Sequence, residues 1–236
     1  MRHMFELLSV NNNRISAIGA SSQLPLHTVV DRDDKCNNAE VARLLSHLKA
    51  IDTAAASDGS LFLLAEDNLS LKFLPFLRKA DNVSEIVARA PADWDVILLS
   101  WVHKDRMVRE FTDWNRLFGD GNHVLGGFAY LLRRSGIEKI SKYFEFKDGV
   151  FRVNNRWVKP IYAPAQLSMA ADVFIFSRLT TYIYHRRVFA VQDLSSVPRA
   201  DRVDPNRFSQ SVIFDFVDTS VLEAESDVDD RRAYGD

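Results

Sequence analysis

Glu66, Asp67 and Asn68 stand directly behind five apolar or small residues, Leu61–Ala65, in the stretch LFLLAEDNLSLKF. Adjacent oxygen donors suit a hard divalent cation, Mn2+ or Mg2+, which would also be held by the phosphates of a nucleotide. The plainer reading is a solvated turn in which the two carboxylates lead into the next element. A second acidic position, Asp172, precedes the apolar run VFIF and is expected at an element end facing a cleft. There it suits a general base acting on a hydroxyl, or a cap for the segment that follows. Ser46, His47, Arg43 and Lys49 share one predicted helix. Ser46 suits either a ligand contact or a pin between helix and sheet, Arg43 and Lys49 suit either a phosphate or a solvated helix face, and His47, beside a leucine stripe, reads as packing. Gly126-Gly127 permits close backbone approach and suits the lining of a sugar pocket, but it lacks the spacing and the Lys-Ser/Thr ending of a phosphate-binding loop. Of the tryptophans, Trp94 reads as core, while Trp114 and Trp157 stand in polar surroundings that suit stacking on a sugar face.

These residues need elements to position them. Short apolar runs rich in β-formers occur at Phe5–Val10, His27–Val30, Leu61–Ala65, Val96–Ser100 and Val124–Ala129, separated by segments with helical spacing. Such alternation predicts an α/β fold with a mainly parallel central sheet flanked by helices. Val41, Leu44, Leu45, Leu48 and Ile51 recur at spacings of three and four, predicting a helix over about 39–56 with Asn37 or Asn38 as its N-cap. Further helices are predicted over 71–80, 84–89 and 135–143. FEFKDGVFRV reads as a hairpin turning at Asp148-Gly149. Leu61–Ala65, all apolar, reads as a strand buried on both faces, which puts Glu66 at its C-terminal end, where ligands bind in open α/β sheets.

A chain of 236 residues with 47% hydrophobic and 26% charged residues fits one large globular domain, taken as residues 1–222, followed by an acidic, polar tail over 223–236. A net charge of -2 gives no overall attraction to nucleic acid or to an anionic membrane. The single cysteine, Cys36, excludes an internal disulfide and a Cys-rich zinc site and fits a reducing compartment, so a cytoplasmic location is expected. No window approaches the 18 or so apolar residues of a membrane span, and no membrane insertion is expected.

In order along the chain, VARLLSHLKAI (41–51), LFLLAEDN (61–68), DWDVILLS (93–100), GGFAYLLRRSGIEKI (126–140) and VFAVQDLSS (188–196) resemble the blocks of glycosyltransferase family 25, the lipooligosaccharide and collagen galactosyltransferase type. The resemblance implies a GT-A type, Rossmann-like fold, a nucleotide-sugar donor such as a UDP-sugar, a glycan or glycoprotein acceptor, an Mn2+ ion and inversion at the transferred carbon. FELLSVNNNR looks like the family's first strand and the turn after it, which implies donor contacts at Ser9, Asn11 and Arg14. LHTVVDRDD looks like the second strand, ending in Asp31 towards the nucleoside. The resemblance adds Ser46, Lys49, Glu66 and Gly127 to the donor side, Asp67, Asn68 and His185 as the metal set, and Asp172 as catalytic base. Asn68 departs from the pattern, because the family has a third acidic residue there. An amide oxygen can coordinate a cation but brings no charge, so weaker metal binding is expected, and with it a competing reading: a degenerate fold that binds sugar nucleotides or glycans without turnover.

Overall fold

The structure is a computed structural model and describes residues 15–20, 23–29, 36–66, 69–70, 83–103, 114–117, 124–155, 169–185 and 188–191. Its elements are β1 (Leu26–Thr28), α1 (Asn38–Ala55), β2 (Leu61–Ala65), β3 (Leu69–Ser70), α2 (Val83–Arg89), β4 (Val96–His103), β5 (Trp114–Arg116), β6 (Val124–Arg133), α3 (Arg134–Ile140), a 3-10 turn (Ser141–Tyr143), β7 (Phe144–Lys147), β8 (Val150–Val153), α4 (Ala171–Phe176), β9 (Thr181–Tyr184) and β10 (Ala190–Val191). The predicted strand over 5–10 and the predicted helix over 71–80 lie outside the described residues.

α1 forms where its cap and apolar stripe demand it. The Asn37 side chain accepts from the Glu40 N–H at 2.9 Å while Glu40 accepts from the Asn37 N–H at 2.8 Å, a reciprocal capping box. The predicted stripe is fully buried. The last turn of α1 carries no basic residue. Its orphan carbonyls are met from elsewhere: the Arg134 guanidinium donates to Ala55 O at 3.0 Å and also to Ser57 O, while stacking over Phe62.

Five strands form the central sheet in the order β2-β6-β4-β9-β5. β4 and β9 are parallel, whereas β6 is antiparallel to both β2 and β4, and β5 is antiparallel to β9. The fold is α/β, but the sheet is mixed, which corrects the expectation of a mainly parallel one. A continuous apolar strand looks the same in sequence whichever way it runs, and β6 enters the sheet between two co-directional strands. The side chains divide between two cores as a period-two pattern requires. Leu64, Val96, Leu98, Tyr130, Leu132 and Ile183 pack with α1, α3 and α4 on one face, and Ile97, Leu99, Leu131 and Tyr184 pack with Ile86 of α2 on the other.

β2 also departs from expectation. Among the described residues it is an outer strand, and only Leu64 is fully buried, with Leu61 exposed. The apolar composition reflects contacts on both faces, not enclosure. The hairpin is as predicted: β7 and β8 are antiparallel, with Asp148 at φ 54° and Gly149 at φ 77°. Two successive left-handed residues are what a two-residue hairpin turn requires. β1 adds to β8 in parallel, completing a three-stranded sheet. No helix among the described residues is long and apolar enough to cross a membrane.

Candidate functional site

β2, β4 and β9 run the same way, so their C-terminal ends share one edge of the sheet, and the start of antiparallel β6 lies at that edge too. Glu66 sits there directly after β2, tied down by its backbone N–H donating to Phe128 O at 2.8 Å. α1 crosses the same region. Arg43 and His47, four residues apart on α1, therefore reach the same carboxylate.

The resulting cluster is dense. Arg43 Nε donates to Glu66 Oε1 at 2.6 Å, and His47 Nε2 lies 3.0 Å from the same oxygen. His47 Nδ1 lies 3.0 Å from the Tyr130 hydroxyl, and the two rings stack with centroids 5.8 Å apart. Tyr130, mid-strand in β6, is fully buried and meets Phe176 edge-on. Asp172, in the first turn of α4, approaches the other side of the guanidinium, with Oδ1 3.8 Å from Arg43 Nη1. The guanidinium also lies 4.8 Å over the Phe128 ring.

Charge states follow from this geometry. Burial alone would raise the Glu66 carboxyl, but the Arg43 charge and the His47 hydrogen bond outweigh it and hold the group at about 2. Burial likewise opposes the Arg43 charge, and Asp172 and Glu66 more than offset it, so its pKa rises above that of an ordinary arginine. Burial pushes the Tyr130 hydroxyl up, reinforced by Glu66 and Asp172 and opposed by Arg43, so it stays protonated. These states assign the hydrogen-bond direction. An ionised Glu66 only accepts, so His47 Nε2 carries the proton, and His47 Nδ1 makes the second hydrogen bond with the Tyr130 hydroxyl. Glu66 Oε1 is then fixed by two donors, while Oε2 accepts from no described residue.

The sequence-predicted residues distribute unevenly around this cluster. Glu66 and Asp172 are brought together across Arg43. Ser46 and Lys49 instead secure the segment over 15–20: Ser46 Oγ accepts from the Ile18 N–H at 2.9 Å and donates to Ala42 O, and Lys49 Nζ donates to Ser16 O at 3.3 Å. Gly127 lies in β6 at the same sheet edge. His185 follows β9 at that edge and packs edge-on against Tyr184. Three strand steps separate β9 from β2, roughly 14 Å at ordinary sheet spacing. Ser9, Asn11, Arg14, Asp31, Asp67, Asn68 and Trp157 lie outside the described residues. Trp94 is core, as expected, and Trp114 is half-buried against Tyr184.

The described donors do not by themselves build an ion site. Glu66 is already compensated by Arg43 and His47, and among the described residues no three His, Cys, Asp or Glu side chains group around one point. Tyr130 was not singled out by sequence reasoning, and His47 was read as packing. The available signals were the four-residue spacing of Arg43 and His47 and a lone hydroxyl within the apolar run AYLL.

Asp95, in the DWD block, has a structural task. It is almost fully buried, and its carboxylate takes Lys139 Nζ at 2.7 and 2.8 Å, the Ser135 hydroxyl at 3.2 Å and the Thr180 N–H at 2.9 Å. It thereby pins the start of β4 to α3 and to the start of β9. Gly136 lets α3 close on this point, since a Cβ there would sit 2.8 Å from Leu132 Cδ1 and 3.1 Å from Asp95 O.

Comparison of the chain with protein-family models, with curated proteins and with solved structures gave no match.

Proposed function

We propose that the chain is a metal-dependent glycosyltransferase with a GT-A type fold, moving a sugar from a nucleotide diphosphate donor, a UDP-sugar, to a hydroxyl of a glycan or glycoprotein, with inversion. The observation that carries this reading is the meeting of Glu66 and Asp172 around Arg43 at the C-terminal edge of the sheet. Two residues to which the resemblance gives roles, 106 positions apart, meet across Arg43 at the sheet edge where open α/β folds bind ligands.

The charge states divide the roles. Glu66, held at about 2, is too weak a base to take a proton from a hydroxyl near neutral pH and serves as a fixed hydrogen-bond acceptor for the donor. Asp172 is then the base: it takes the acceptor hydroxyl proton as the acceptor oxygen bonds to the sugar carbon and the bond from that carbon to the diphosphate breaks. Arg43 Nη2, buried and without an acceptor among the described residues, is placed to meet a donor phosphate oxygen. The ion of such an enzyme would be held by Asp67 and Asn68 and would neutralise the departing diphosphate; the sheet order sets His185 roughly 14 Å from that strand end, outside such a shell.

A second reading is favoured by the full compensation of Glu66 and by the neutral Asn68: a fold of the same type that binds sugar nucleotides or glycans without transfer. Thermal unfolding with UDP, UDP-hexoses and inorganic phosphate, with and without Mn2+, tests the ligand class. UDP should protect well beyond phosphate and more strongly with Mn2+, whereas equal protection by phosphate and UDP would sink both readings.

A further inference from the structure

Arg178 lies just past α4, at the end opposite Asp172, and its guanidinium lies over two aromatic rings, 3.9 Å from the Phe174 ring centroid and 4.9 Å from that of Tyr143. Nη1 donates to Phe174 O at 2.7 Å, satisfying one of the carbonyls the helix end leaves open. That contact accounts for one nitrogen. Nε and Nη2 are buried and meet no acceptor among the described residues, although the side chain as a whole is only partly buried. These two form the side-on edge of the guanidinium, where parallel N–H bonds match two oxygens of a carboxylate or phosphate. Burial lowers the Arg178 pKa to about 10, opposed by Tyr143 alone, so no carboxylate of the described residues compensates the charge. Two unmade donors on a largely buried cation are unfavourable to leave unpaired, and an oxyanion on that edge would satisfy both.

We propose that Arg178 is an oxyanion-binding site, its stacked guanidinium presenting the Nε and Nη2 edge to two oxygens of a phosphate or carboxylate. The two rings and the hydrogen bond to Phe174 O hold the fork in place. The ligand chemistry has two sources, free phosphate or a carboxylate from the chain's own acidic stretch over 223–236. The proposal is independent of the transferase reading, since Arg178 touches neither Glu66 nor Asp172.

The test is thermal unfolding of the full chain in inorganic phosphate at constant ionic strength. It compares wild type, Arg178→Lys and Arg178→Gln with a chain carrying E223Q, E225Q, D227N, D229N, D230N and D236N, alone and combined with Arg178→Gln. Lysine keeps the charge and stem but loses the fork, so it serves should the glutamine variant fail to fold. With a free anion, phosphate at a hundredfold excess over its Kd raises the wild-type Tm by about 5 °C or more and leaves both Arg178 variants unmoved. With the chain's own carboxylate, the neutralised stretch lowers Tm only when Arg178 is present, and phosphate restores it. Responses that are the same with and without Arg178, or absent in every chain, would overturn the proposal.

Discussion

Replacing Glu66 with glutamine keeps the shape of the side chain and removes the charge that faces Arg43 and His47. The drop of its pKa from 4.5 to about 2 is what those partners contribute beyond offsetting the opposing effect of burial. At about 1.4 kcal/mol per tenfold change in proton affinity, the ionised form is worth about 3 kcal/mol to the folded state, an order-of-magnitude figure for a side chain that is four-fifths covered. The sign follows from a depressed folded-state pKa: the contribution is fully present above pH 4.5 and disappears as pH falls towards 2. Urea unfolding of wild type and Glu66→Gln across pH 2–7 reads this directly. The variant is expected to be about 3 kcal/mol less stable at pH 7, a Tm loss of about 6–12 °C, with the gap closing as the wild-type carboxylate takes up its proton. A gap that stays constant down to pH 2, or no gap at pH 7, would refute the assignment of Glu66 as an ionised, doubly fixed carboxylate.

Tyr130→Phe removes the hydroxyl hydrogen-bonded to His47 Nδ1 and is expected to cost about 1–2 kcal/mol in urea unfolding. Asp95→Asn strips Lys139 of its buried partner and should cost about 2–4 kcal/mol while leaving affinity for UDP unchanged in calorimetry, since Asp95 lies outside the candidate site. Gly136→Ala forces a methyl against Leu132 and the Asp95 backbone and should lower stability by about 1–3 kcal/mol, seen as a Tm loss in differential scanning calorimetry.

The parts of the fold governed by local rules were legible. α1 could be read from one cap and one stripe because both lie within 18 residues, and the hairpin from a dipeptide whose backbone needs are unusual. Strand direction was not legible, because β6 carries the same apolar signal that a parallel strand would. Exposure of β2 was hidden for a related reason: its alternate residues serve two separate cores, and that looks like enclosure when read in one dimension.

The candidate site divides in the same way. Glu66 could be found from its place after an apolar run, and Asp172 from its place before one. What they do depends on Arg43, His47 and Tyr130, which lie 19 to 64 residues from Glu66 and 42 to 129 residues from Asp172 along the chain. No local pattern reports that Arg43 lies between two carboxylates. The Asp95 network is hidden for the same reason, with partners 44 and 85 residues away that only the closed fold brings together.

The central claim is that Asp172 acts as a base in sugar transfer at this cluster. It is tested most directly by UDP release from a panel of UDP-hexoses in Mn2+, measured for wild type and Asp172→Asn, with UDP affinity determined calorimetrically for both. The account predicts release from at least one donor by the wild type, and a loss of about a hundredfold or more in Asp172→Asn with UDP affinity retained. UDP binding with no release by the wild type, or release unchanged in Asp172→Asn, would contradict it.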